Sequence, residues 1–202
     1  MTRLTQHPAD DILDATRRLV LDKGVKSATV DAIAAESGAP VGSLYHRFGS
    51  RHGLLAELWV RAVRRSQAAF IAAAEHPDPE EAAVRAALSI HDFVRRHRED
   101  ATLLASFRRH DLIREARSPG LIRELKELNR PLEEALARLA RRLFGKPTRA
   151  AMEQTVLAVV DIPMGAVRRH LLAGSELPDA LAEHLETAVR AILRTYRRTR
   201  LS

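Results

Sequence analysis

Residues 41–51, VGSLYHRFGSR, gather hydrogen-bonding side chains on what reads as one short helix. Leu44 and Phe48 lie four apart and share one side of it, leaving Ser43, Tyr45, His46 and Arg47 free to face out. A hydroxyl, a phenol, an imidazole and a guanidinium in that order suit contact with a polar, charged surface rather than bond breaking. The rest of the chain supplies no catalytic set to compete with this stretch. No HExxH, GxSxG or glycine-rich phosphate loop occurs. With no cysteine, thiolate metal sites, cysteine nucleophiles and disulfides are excluded. The nine histidines include no i, i+4 pair, so no helical metal site is expected, and no cofactor.

The elements that position this stretch are legible just upstream. Thr29 is an N-cap, with Asp31 placing negative charge in the first turn and Val30, Ile33 and Ala34 making one apolar stripe. Gly38 ends that helix, because glycine adopts the left-handed conformation without a Cβ penalty. Pro40 opens the next helix, where its missing N–H removes nothing. Ser50 caps a further helix starting at Arg51. Two short helices joined by a tight glycine-containing turn form a helix-turn-helix, whose second helix can enter a DNA major groove.

Residue by residue, the stretch resembles the TetR family of dimeric transcriptional repressors. The matching positions are Ile12, Leu13, Ala15, Leu19 and Gly24, then Thr29, Ile33, Ala34, Gly38, Gly42, Ser43, Leu44, Tyr45, Phe48, Ser50 and Leu54. Thr16, Val20, Ala39-Pro40, Arg47 and Arg51 depart from the pattern, Arg51 standing for a lysine. Pro40 removes a hydroxyl that could cap the second helix or touch a phosphate. The resemblance covers roughly the first third of the chain. It implies DNA-binding roles for Thr29, Val41, Gly42, Ser43, Tyr45, His46 and Arg51. Thr29, Tyr45, His46 and Arg51 would contact the phosphate backbone, and Val41, Gly42 and Ser43 would lie nearest the base edges.

Composition agrees with a globular protein. Of 202 residues, 46% are hydrophobic and 29% charged, and aromatic residues make up only 4%, so the core must be aliphatic. No run approaches the roughly 18 apolar residues of a membrane span. The N-terminus lacks the apolar run of a signal peptide, so a cytoplasmic location and no membrane partner are expected. The formal charge of +7 suits a polyanionic partner. However, residues 1–52 hold seven basic against six acidic residues, so the motif carries the DNA reading and the charge does not.

Downstream, helical periodicity runs throughout. The spacing predicts helices over about Pro8–Lys23, Arg51–Glu75, Pro79–His97, Asp100–His110, Gly120–Phe144, Arg149–Ala173 and Pro178–Arg198, with Pro131 kinking the fifth of these. With the two motif helices this gives an all-α protein of about nine helices. Residues 6–66 are expected to form the DNA-binding head, with the motif at about 29–48, and residues 67–202 an effector-binding and dimerisation body. Asp161 interrupts the apolar run Val156–Val167, where a buried carboxylate would be costly unless paired. It is read either as a paired acid at a proline kink or as the wall of a pocket. The family resemblance implies a small-molecule effector in the body, with Trp59, Phe70, His91, Phe107, His110, Met152, Asp161 and Met164 as candidate pocket residues. The last two helices are apolar over a wide arc and are expected to pair across a homodimer. The expectation is a non-enzymatic, homodimeric repressor released from a palindromic double-stranded DNA operator by a small molecule. An architectural DNA-binding protein and an all-α enzyme using Asp161 are the alternatives, and the sequence does not separate repression from activation.

Overall fold

In the computed structural model, the described residues are 8–106, 112, 119–146 and 148–199, with side chains through residue 195. Every regular element among them is helical. In chain order these are α1 (Ala9–Lys23), a 3-10 turn (Val25–Ser27), α2 (Val30–Ser37), α3 (Val41–Phe48), α4 (Arg51–Ala74), α5 (Pro79–Arg96), α6 (Arg98–Ser106), α7 (Pro119–Glu127), α8 (Arg130–Phe144), α9 (Arg149–Ala173) and α10 (Leu181–Thr199). The architecture is the expected one, a three-helix N-terminal helix-turn-helix head and a larger helical body. The chain divides into two compact units, Met1–Ala62 with Thr102–Glu127, and Val63–Ala101 with Leu128–Ser202.

The first unit is built on the apolar faces of α1–α4. Ile12, Leu13, Leu19, Ile33, Leu44, Leu54, Leu55 and Leu58 are buried together, with Leu103 of α6 in the same cluster. Thr16, buried among them, donates its hydroxyl to the Ile12 carbonyl at 2.8 Å, so that hydroxyl is not stranded. Three ion pairs tie the helices at their edges. Arg61 of α4 reaches Asp10 at 2.8 Å and Asp14 at 2.6 Å on α1, and Arg18 of α1 meets Glu36 of α2 at 3.1 Å.

The second unit is centred on α5, whose Ala82, Ala83, Ala86 and Ala87 are fully buried. Such small side chains let neighbouring helices approach closely. Leu136, Leu139 and Leu143 of α8, Val159 of α9, and Val189 and Leu193 of α10 complete that core with Phe70. Asp78 caps α5 by accepting the Glu81 N–H at 2.8 Å, and this backbone hydrogen bond holds its carboxyl below the usual carboxylate range. Arg190 of α10 pairs with Glu81 and with Glu186, hydrogen bonds that hold its guanidinium above the ordinary arginine range. At the end of α4, Arg142 donates to the carbonyls of Ala74 (2.8 Å), His76 and Pro77 (2.9 Å), groups that a helix terminus leaves without partners.

Three local expectations need correcting. The run Gly120–Phe144 is not one kinked helix, because Leu128 and Asn129 form a turn and α8 begins afresh at Arg130. Pro131 then sits in the first turn of α8, where the missing N–H had no partner to lose. Among the described residues ten helices result, or nine if that run is taken as one. Near Pro163 the helix does not simply kink. Residues Leu157–Asp161 form a π turn, and the Ile162 N–H bonds the Leu157 carbonyl instead of that of Ala158. Finally, Asp161 is exposed on α9, so the anticipated cost of burying its carboxylate does not arise.

Candidate nucleic-acid interface

Each turn of the motif is fixed by a local bond. The Thr29 hydroxyl accepts the Ala32 N–H at 3.2 Å, capping α2 as its sequence position demands. Gly38 then takes φ 70°, in the left-handed region. The Ser37 hydroxyl donates to the Ile33 carbonyl at 2.7 Å and accepts the Ala39 N–H at 3.3 Å, closing the turn. Pro40 precedes α3 in extended backbone and supplies no capping side chain. After α3, the Ser50 hydroxyl accepts the Gly53 N–H at 3.0 Å and starts α4.

On α3, Leu44 is buried and the opposite face is open. Tyr45 is 52% exposed and Val41 37%. His46 and Arg47 are exposed and Ser43 is half-buried on the same helix, while Thr29 is exposed at the start of α2. Gly42 is the informative position. A Cβ built there would meet no atom within 4 Å, so nothing inside the protein requires glycine. Glycine costs a helix about 1 kcal/mol relative to alanine. What Gly42 provides is clearance on the outward face for whatever docks there.

Gly53, which the sequence reading passed over, is the reverse. A Cβ at this position would lie 2.1 Å from the Phe48 carbonyl oxygen, so the close approach of α4 to the end of α3 demands glycine. The only sequence signal was an otherwise unhelpful glycine in the first turn of a helix. Arg51 also differs in surroundings from the other candidate contacts. It is half-buried, and its Nε donates to the Ala28 carbonyl at 2.7 Å while Nη2 donates to that of Val25.

Residues 12–58 match the family model for bacterial regulatory proteins of the tetR family. The chain carries a TetR-family head. The rest of its length has the fold of such regulators. A TetR-like transcriptional regulator from Rhodococcus sp. RHA1 shares 24% identity, with 93% of this chain and 96% of that one aligned at a TM-score of 0.64. The fatty acid degradation regulator FadR from Bacillus halodurans aligns over 90% and 97% at 16% identity and a TM-score of 0.69. A structure of the multidrug binding protein EbrR complexed with imidazole aligns over 91% and 93% at 19% identity and a TM-score of 0.57. No curated protein matches the chain in sequence. Residues 12–58 thus match that family model, and the chain shares its fold with solved structures of TetR-type transcriptional regulators.

The described candidates for the pocket are distributed over both units. Trp59 lies in the first unit, buried, with its Nε1 lacking an acceptor. Phe70 is part of the second unit's core and Met152 packs against it. His91 is 3% exposed, with Nδ1 3.3 Å from Asp92 Oδ1 and Nε2 without a partner among the described residues. Asp161 and Met164 are exposed on α9. Phe107 and His110 lie outside the described residues. The second unit does hold an open groove of about 500 Å³ along α4 and α5, with Phe93, Leu88 and Ala69 in its lining and Arg65, Arg85 and Arg96 around them. None of the six described candidates lines it. Among the described residues no group of three or more His, Cys, Asp or Glu side chains is placed to hold a metal ion.

Proposed function

We propose that the protein is a homodimeric repressor that binds a palindromic double-stranded DNA operator and releases it on binding a small molecule. The observation that carries this is the open face of α3, where an exposed Tyr45 and Val41 flank a glycine that the protein's own packing does not need. In this reading α3 lies in the major groove. Val41 packs on a thymine methyl, Ser43 donates or accepts at a base edge, and Thr29, Tyr45 and His46 hold phosphates. Two such helices in a dimer sit about one helical turn apart, ~34–36 Å.

Dimerisation is assigned to α9 and α10. Only 33% of the most apolar 18-residue window of α9 is buried, although the helix is apolar enough to cross a membrane by length and composition. Leu157, Met164 and Leu172 are 40%, 44% and 60% exposed along it. A second copy covering that face is the simplest way to remove it from water. The effector site is assigned to the second unit. Arg85 is exposed in the groove along α4 and α5 and makes no ion pair among the described residues, which favours an effector with an acidic group and an apolar body. The buried, unpartnered Nε2 of His91 offers a second polar handle in the same unit. Release then follows from an effector's preference for the state in which the heads no longer fit DNA.

The test is a library of small molecules, acids included, screened for release of a bound duplex taken from upstream of the protein's own gene. Release by one compound, lost in Arg85→Gln, supports both the repressor and the groove. Binding that no compound reverses and that ignores DNA sequence supports an architectural role instead.

A further inference from the structure

We infer that Arg51 is a positioning residue that clasps the two ends of the helix-turn-helix, and not a ligand of the DNA phosphates. The motif proper runs from the Thr29 cap to the Ser50 cap. Immediately before it lie Val25 and Ala28; immediately after it lies Arg51. The guanidinium reaches back across 23 residues to the Ala28 carbonyl and across 26 to that of Val25. One planar fork therefore closes a ring around α2, the turn and α3.

Chemistry favours a guanidinium in this place. Ala28 is fully buried, and a buried carbonyl without a donor is costly. The Val25 carbonyl already accepts the Ala28 N–H at 3.3 Å, which leaves it one lone pair for the guanidinium. An arginine presents two N–H groups in fixed geometry to two carbonyls. A lysine, the residue of the family pattern, presents a single flexible ammonium. Helix electrostatics do not explain the position either, since a cation in the first turn of α4 opposes the helix dipole. The Nε–H and one Nη2–H are turned inward onto these carbonyls, which holds the guanidinium against the start of the motif. What Arg51 sets is the angle at which α3 is presented, so it acts on DNA through Val41, Ser43 and Tyr45.

This inference rests on the DNA-binding reading of α3, and its test includes a readout made without DNA. Arg51→Gln and the milder Arg51→Lys are compared with the unsubstituted protein at 10 °C, with folding checked by circular dichroism. The clasp predicts that backbone amides of α2 and α3 exchange with solvent faster in Arg51→Gln while those of α1 and α4 do not. It further predicts about tenfold weaker binding to the upstream duplex, the size expected for one lost hydrogen bond to a charged group. Binding to scrambled duplex and the slope of affinity against salt stay unchanged, and Arg51→Lys falls between. A salt slope reduced by about one unit, with both duplexes weakened together, identifies a phosphate ligand and overturns the clasp. Unchanged exchange in α2 and α3, or unchanged specific binding in a folded Arg51→Gln protein, overturns it equally.

Discussion

The α3 and α9 helices both show apolar or aromatic side chains to solvent, yet for different physical reasons. On α3 the exposed face is mixed, with Tyr45, His46 and Arg47 beside a bare glycine, and only Leu44 is buried. On α9 the large aliphatic side chains Leu157, Met164 and Leu172 are exposed, interleaved with Asp161, Arg168 and Arg169. A face of hydrogen-bonding groups with a gap in it suits a grooved polar partner. A broad aliphatic face gains by being covered with its own kind. Outward exposure alone says little, and the chemistry of what is exposed separates the two.

Substitutions can break that contrast in order of size. The largest effect is expected inside the head, away from either face. Gly53→Val places side-chain atoms against the Phe48 carbonyl and should lower stability by about 2–4 kcal/mol, read from chemical unfolding. Next, Leu157→Glu with Met164→Glu should turn the proposed dimer into monomer at micromolar concentration, measured by analytical ultracentrifugation, without lowering helix content. A double variant that stays dimeric moves the interface elsewhere. Gly42→Ala sharpens the comparison most, because it should act with opposite signs. Stability should rise by about 0.5–1 kcal/mol, as alanine is the better helix former. Operator affinity should fall, because the methyl fills the clearance. A rise in both would assign Gly42 no role at DNA.

The smallest effect concerns the α5 cap. The Asp78 carboxyl is held below its usual range, so its contribution to stability is present above the ordinary carboxylate pKa and fades as pH falls through the lowered folded value. Asp78→Asn should keep the cap and flatten that part of the acid dependence, as read from melting temperatures between pH 5 and pH 2.5.

Much of this was legible in the sequence because its signals are local. Thr29 and Ser50 are caps within three residues of the N–H they accept, and Gly38 marks its own left-handed turn. What escaped depends on neighbours distant in sequence or on the side chain's final direction. The bonds from Arg51 to Val25 and Ala28 leave no periodic trace. Pro131 reads the same whether it kinks a helix or opens one, and only the turn at Leu128 and Asn129 decides. Asp161 looked costly because its neighbours in sequence are apolar, but the helix turns it out to solvent. The pocket candidates follow from the family resemblance, which does not fix the direction a residue of this chain faces. Trp59 and Phe70 accordingly fell into different units.

The central claim is that α3 reads DNA by sequence. Its most direct test is a fluorescence-anisotropy titration at physiological salt on the upstream duplex and on a scrambled duplex, with Tyr45→Ala alongside. The account predicts at least a thousandfold preference for the upstream duplex, the low end for specific binders, and a loss of about 10- to 100-fold in Tyr45→Ala with dimerisation intact. Equal affinity for both duplexes, unaffected by Tyr45→Ala, would contradict it.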